Sequence, residues 1–146
     1  MVHALDRFED AQEATIDRAL DELCKGRKQS HWMWFVFPQI AGLGHSPTAR
    51  HFAISDVHEA QAYATHPVLG ARLRLACSAV MSWAGRRSAQ EIFGATDAMK
   101  LCSSMTLFEW ACPDENIFAQ VLDAYFSGKR DRRTRSILSA GVQHQE

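Results

Sequence analysis

The chain has 146 residues, 47% of them hydrophobic and 23% charged, with a formal net charge of −1. That length suits one domain with a substantial core, and the composition excludes a disordered or fibrous chain. A charge so near zero excludes a global field that would draw nucleic acid or an anionic membrane, and no apolar run reaches the ~18 residues of a membrane span.

The N-terminus lacks the basic-then-apolar pattern of a secretory signal, so cytoplasmic residence is expected. Leu5, Phe8, Gln12, Ile16, Leu20 and Leu23 recur at three- and four-residue steps, the spacing of one helical face. They read as one long helix, or as two short ones broken near Gln12, with Gly26 as the C-terminal cap. The run Ser30-His31-Trp32-Met33-Trp34-Phe35-Val36-Phe37-Pro38-Gln39 follows. Trp32 to Phe37 is the one serious strand candidate, because aromatics and valine favour strands. A lone strand has no partner here, so the segment is read as a helix with Ser30 as N-cap and Pro38 as the stop.

Ser46-Pro47 opens the next helix, with serine as cap and proline in the first turn. Asp56 to Glu59 forms a capping-box pattern, and Thr65-His66-Pro67 starts a helix carrying Leu69, Leu73, Cys77, Val80 and Trp83 up to Gly85. Ser88 to Glu91 is a second capping box, and its short helix ends at Gly94. Thr96 is expected to cap a helix through Phe108. Pro113-Asp114 opens another that closes at Gly128, and Asp131 caps a last one with Ile137 and Leu138. The expectation is an all-α, compact single domain over residues 1–146, an array of about seven or eight helices, several short. A disordered tail is expected from about 140 to 146. The core should hold Leu20, Leu23, Leu69, Leu73, Val80, Phe93, Leu107, Phe118, Val121 and Leu122. Cys24, Cys77, Cys102 and Cys112 lack CxxC spacing and read as buried free thiols.

Four blocks stand in order along the chain: Ser30 to Gln39; Gly42-Leu43-Gly44; His66-Pro67-Val68-Leu69-Gly70 with Arg72-Leu73; and Ile92-Phe93-Gly94 with Asp97, Lys100-Leu101 and Ser103 to Phe108. In these blocks the chain resembles the domain of unknown function numbered 1810 (DUF1810), which also carries a calpastatin-like label. The resemblance runs from about Arg7 to about Leu138. It implies an all-α fold and no particular activity.

The residues themselves mark a candidate site. His31 could serve as acid or base, although a histidine near a helix start can simply bond backbone. Trp32 and Trp34, two apart, cannot share a helical face, so one ring can enter the core while the other meets a ligand by stacking. Gln39 could hydrogen-bond a base or amide edge. Gly42 and Gly44 precede a helix start, as in a small anion cradle, without a Walker or Rossmann context. Lys100, Ser103, Ser104 and Thr106 place charge and hydroxyls in mid-helix, where small hydroxyl residues are poor helix formers. These serve either close helix packing or a wall contacting phosphate or ribose. No metal and no cofactor is expected. His45, His51, His58 and His66 never show i, i+4 spacing.

The reading is a pocket for a small-molecule ligand, nucleotide-derived or phosphorylated, that the protein binds and could hydrolyse with His31. The alternative is a non-catalytic protein-interaction module. A pocket requires His31, Lys100 and Ser103 to converge, whereas the module requires an exposed apolar patch. The stretch Lys129 to Arg135 holds five basic residues in seven. It reads as a solvated helix start, or else as a phosphate- or nucleic-acid-binding patch whose affinity would fall steeply with salt, although nucleic acid is not the expected partner.

Overall fold

A computed structural model describes residues 4–144, which form ten α-helices. They are α1 (Asp6–Glu13), α2 (Ile16–Cys24), α3 (Met33–Val36), α4 (Pro47–His51), α5 (Val57–Thr65), α6 (Leu69–Met81), α7 (Ala89–Phe93), α8 (Ala95–Ala111), α9 (Ile117–Phe126) and α10 (Arg132–His144). Among the described residues the only β-type pairing is a single parallel bridge between Ile40 and Ile54. No helix of the described residues is long and apolar enough to cross a membrane.

The two longest inner helices, α6 and α8, are joined by α5 and α9, each of which packs on both. Around this inner set, α2 and α3 pack on α6, α7 and α10 on α8, and α1 on α3. Helix α8 is buried on several sides, with Leu101, Ser104, Met105, Leu107 and Phe108 all inside. A helix contacted from many directions has no polar face to spare, which explains why its apolar residues show little periodicity. Every expected core residue is buried except Leu20, which is only partly covered. All four cysteines are free, but Cys24 is exposed and only Cys77 is fully buried, where burial pushes its thiol up to about 12.

The helix count exceeds the expected seven or eight for local reasons. The N-terminal periodic stretch is two helices, interrupted at Ala14 and Thr15, and α3, α4 and α7 are each five residues or fewer. Helix α10 continues to His144, through residues expected to form a tail; residues 145 and 146 lie outside the described residues. Gly26 ends α2 as expected, with φ +70°, and a Cβ there would come within 2.6 Å of the Trp83 ring. Thr65 and Thr96 do not cap their helices. His66 Nδ1 accepts from the amides of Val68 and Leu69 at 3.1 Å each, and Gly94, at φ +80°, precedes α8 directly.

The expected helix from Ser30 to Pro38 shrinks to the four residues of α3, and Ser30 does not cap it. Glu22 of α2 takes that serine instead. Its carboxylate accepts from the amides of Gln29 (2.8 Å) and Ser30 (3.0 Å), from Ser30 Oγ (2.6 Å) and from Trp32 Nε1 (2.9 Å). Burial raises the pKa of this carboxyl, but the bonds from Ser30, Gln29 and Trp32 together outweigh it and hold the group down to about 2. A carboxylate depressed in the folded state stabilises above its unfolded pKa, near 4.5, and loses that contribution as pH falls toward 2. Glu22→Gln should therefore cost on the order of 3 kcal/mol at pH 7. The gap from wild type should narrow steadily below pH 4.5, as read by denaturant unfolding across pH. An equal gap at pH 7 and pH 3 would assign the cost to packing rather than charge.

Candidate functional site

After α3 the chain is extended, and Ile54 pins it. Ile54 N donates to Gln39 O at 2.9 Å, and Ala41 N donates to Ile54 O at 2.8 Å. This fixes the backbone of Gln39 before the glycine loop begins. Gly44 then presses on α4, since a Cβ there would lie 2.6 Å from Ala49 Cβ. Helix α4 is itself anchored. Ser46 caps it by accepting from Ala49 N at 3.1 Å, and Arg7 of α1 donates to the carbonyls of its last residue, His51 (2.8 Å), and of Ala53 just beyond it (2.9 Å).

The opposite wall comes from α8 and the connection into α10. Thr106 Oγ1 donates to Cys102 O at 2.8 Å and accepts from Asp131 N at 2.9 Å. Asp131 in turn caps α10, its Oδ2 accepting from Thr134 N (3.1 Å) and Thr134 Oγ1 (2.5 Å). A mid-helix threonine thus holds the start of the last helix against α8.

Between these walls lies a cleft of about 250 Å³. The loop side contributes Gln39, Leu43 and Gly44. Helix α8 and its first turn contribute Thr96, Met99, Lys100 and Ser103, and the start of α10 contributes Asp131 and Arg133. Two cations face this small volume. Lys100 Nζ lies 3.7 Å from Asp97 Oδ1, but the other oxygen of Asp97 is already engaged by Lys28 at 2.8 Å. Lys28 is further occupied by the Ser30 carbonyl at 2.7 Å and by the Trp32 ring at 5.0 Å. Asp97 therefore neutralises Lys28 first, and Lys100 keeps most of its charge for the cleft. Arg133 is exposed, with one long contact from NH2 to Gly42 O at 3.5 Å. The carboxylate in the lining, Asp131, is committed to capping.

The residues expected to form the site are divided by the fold. Gln39, Gly44, Lys100 and Ser103 meet in the cleft. Trp34 sits behind them, lining a pinched hollow of about 10 Å³ with Gln39 and Gly44, and its ring carries Lys100 Nζ at 5.0 Å. Trp32 is fully buried and is a core residue rather than a pocket wall, because Glu22 satisfies its indole N–H inside the protein. His31 is exposed, does not line this cleft and makes no hydrogen bond among the described residues, so it does not join Lys100 and Ser103 there. Gly42 lies beside the cleft at φ +105° without lining it, Ser104 is sealed in the core, and Thr106 serves the α10 connection. Leu43, Thr96, Met99, Asp131 and Arg133 complete the lining, and no sequence pattern marks them as site residues. Arg133 was visible only as one charge in a basic run.

A model described as protein of unknown function (DUF1810) matches residues 2–138. The chain belongs to this family. Among solved structures, it is similar to the conserved hypothetical protein Rv1873 from Mycobacterium tuberculosis. The two are 47% identical, with a TM-score of 0.90, over 92% of this chain and 96% of that one. A comparison with curated proteins finds no match. Family membership accounts for the shared helical array, and the chemistry of the cleft has to be argued from its side chains.

The hydroxyls of α8 can be separated by mutation. Ser104 Oγ is fully buried with no partner among the described residues, so Ser104→Ala should leave stability unchanged or raise it. Thr106→Val removes the acceptor of Asp131 N and should cost about 1–3 kcal/mol in denaturant unfolding. Equal costs at the two positions would show that both are packing residues alone.

Proposed function

We propose that the cleft beside Lys100, a site without His31 and so not the three-residue pocket expected from the sequence, binds a small phosphorylated ligand. The observation that carries this reading is the convergence of Lys100 and Arg133 on one volume with the amide of Gln39; Ser103 lines the wall with its hydroxyl donated to Met99 O at 3.2 Å. Charge-assisted bonds from such cations are stronger than neutral ones, and the guanidinium fork matches phosphate oxygens. Leu43 and Met99 offer an apolar side for the rest of the ligand.

Volume bounds the ligand. At about 250 Å³ the cleft falls below the ~300–1,000 Å³ of sites for drug-sized molecules. A sugar phosphate or a single nucleotide suits it better than a dinucleotide. A nucleobase could stack on Trp34 only after Lys100 leaves the face of that ring, so the phosphate half of the reading has more support than the base half. The geometry also favours binding over hydrolysis by His31, which lies outside the cleft.

A thermal-shift screen of sugar phosphates and nucleoside monophosphates tests the reading, because a ligand that binds the folded state raises apparent stability by mass action. A hit should lose about 1.5–3 kcal/mol of binding energy, tenfold or more in Kd, in Lys100→Gln and in Arg133→Gln. The same hit should bind His31→Ala as tightly as wild type. Hits that shift wild type and Lys100→Gln alike would remove the cleft as their site.

A further inference from the structure

The seven-residue basic run does not point in one direction. Arg133 turns to the cleft, while Lys129, Arg130, Arg132 and Arg135 line a second, open basin of about 810 Å³ with Glu109 and Gly128. Four cations thus meet one carboxylate in a chain whose net charge is −1. Their roles differ. Arg130 is pinned: its guanidinium forms a two-pronged pair with Glu109, with Nε 2.9 Å from Oε1, donates to Gly128 O at 2.6 Å and reaches Asp123 Oδ1 at 3.3 Å. It fixes the connection between α9 and α10 and has little capacity left for a ligand. Lys129, Arg132 and Arg135 are exposed and form no ion pair with the described residues.

Three cations without an ion pair repel each other around one concavity, and its one lining carboxylate, Glu109, is already paired with Arg130 and also feels Arg135. Arg132 and Arg135 lie one turn apart on α10, about 5 Å along its axis, a spacing that suits adjacent phosphates of a linked chain. We propose that this basin binds a compact polyphosphate, two or three linked phosphates, through Lys129, Arg132 and Arg135. A lone orthophosphate is too small to engage all three in a volume of this size. The linked phosphates could belong to a free polyphosphate or to the triphosphate tail of a nucleotide. In both sources the recognised group is the phosphate chain. The site is separate from the cleft at Lys100 and stands or falls independently of it.

Titration calorimetry on the full chain provides the test, with inorganic triphosphate, ATP, orthophosphate and a twelve-nucleotide single strand as probes. Triphosphate should bind about tenfold or more tightly than orthophosphate, and its affinity should fall with added salt. The double variant Arg132→Gln/Arg135→Gln should weaken triphosphate about tenfold, and Lys129→Gln severalfold, with melting temperatures unchanged in the absence of ligand. Equal affinity for ATP and triphosphate supports recognition of the phosphate chain alone, and tighter ATP lost in the same double variant supports the nucleotide as its source. Unchanged triphosphate affinity in the double variant overturns the proposal. So does loss of triphosphate binding in Lys100→Gln, which would move the anion to the cleft. Single-strand binding tighter than triphosphate, and lost in the double variant, would make the basin a nucleic-acid surface instead.

Discussion

A four-residue helix cannot satisfy its own backbone, and this constraint organises the first half of the chain. Such a helix leaves most of its donors and acceptors without intrahelical partners, and in a buried segment water cannot replace them. The fold answers with buried polar side chains around α3. Glu22 gathers the amides of Gln29 and Ser30 in the loop ahead of it and the indole of Trp32. Within it, the Phe35 carbonyl accepts from Gln12 Nε2 at 2.7 Å and from Tyr63 Oη at 3.0 Å. Gln12 also receives Arg72 at 3.3 Å, so α1, α5 and α6 all bear on one carbonyl of α3. A hydrocarbon core alone could not set the register of such a short element, because apolar contacts carry little directional information.

The clamp positions the candidate site as well as the core. With Trp32 held inward by Glu22, Trp34 must face another way, and it meets Lys100. With Phe35 held by Gln12 and Tyr63, the chain leaves α3 along Ile54, and Gln39 arrives at the edge of the cleft. The paired lysines repeat this division of labour. Lys28 and Lys100 share Asp97, and each lies over a tryptophan, yet Lys28 is nearly buried and satisfied while Lys100 faces a cleft. One carboxylate between two ammonium groups leaves a surplus charge, and the fold directs that surplus toward the open side.

What sequence reasoning recovers here follows the range of the interaction involved. Ser46, Ser88 and Asp131 cap as expected because each bond closes within three residues, so the information is local. Ser30 misleads because a carboxylate eight residues away outcompetes the helix for its hydroxyl. Thr96 misleads because Gly94 reaches a φ closed to most other residues and lets α8 start earlier. The all-helical class is readable from periodicity and caps, and the aromatic run, whose composition suits a strand and whose lack of a partner suits a helix, is a short helix followed by one β-bridge. The meeting of Gln39, Gly44, Lys100 and Ser103 rests on a loop path set by Ile54 and α4, which no local pattern encodes. His31 drew attention by its neighbours in sequence, but its exposed position gives it none of their contacts.

The basic run shows why charge must be counted by direction and not by residue. Read linearly, Lys129 to Arg135 is one patch. Folded, Arg130 is absorbed by Glu109 and Asp123, and Asp131 is spent on capping α10. The four remaining cations divide between two concavities, because successive residues on a helix lie about 100° apart. Arg133 joins Lys100 in the cleft, whereas Arg132 and Arg135, three apart, share the face toward Lys129. Thr106 sets this division through its bond to Asp131 N, since a rotation of the helix start would carry Arg133 out of the cleft. One hydroxyl inside α8 thus helps to fix how the surface cations are divided between the two hollows.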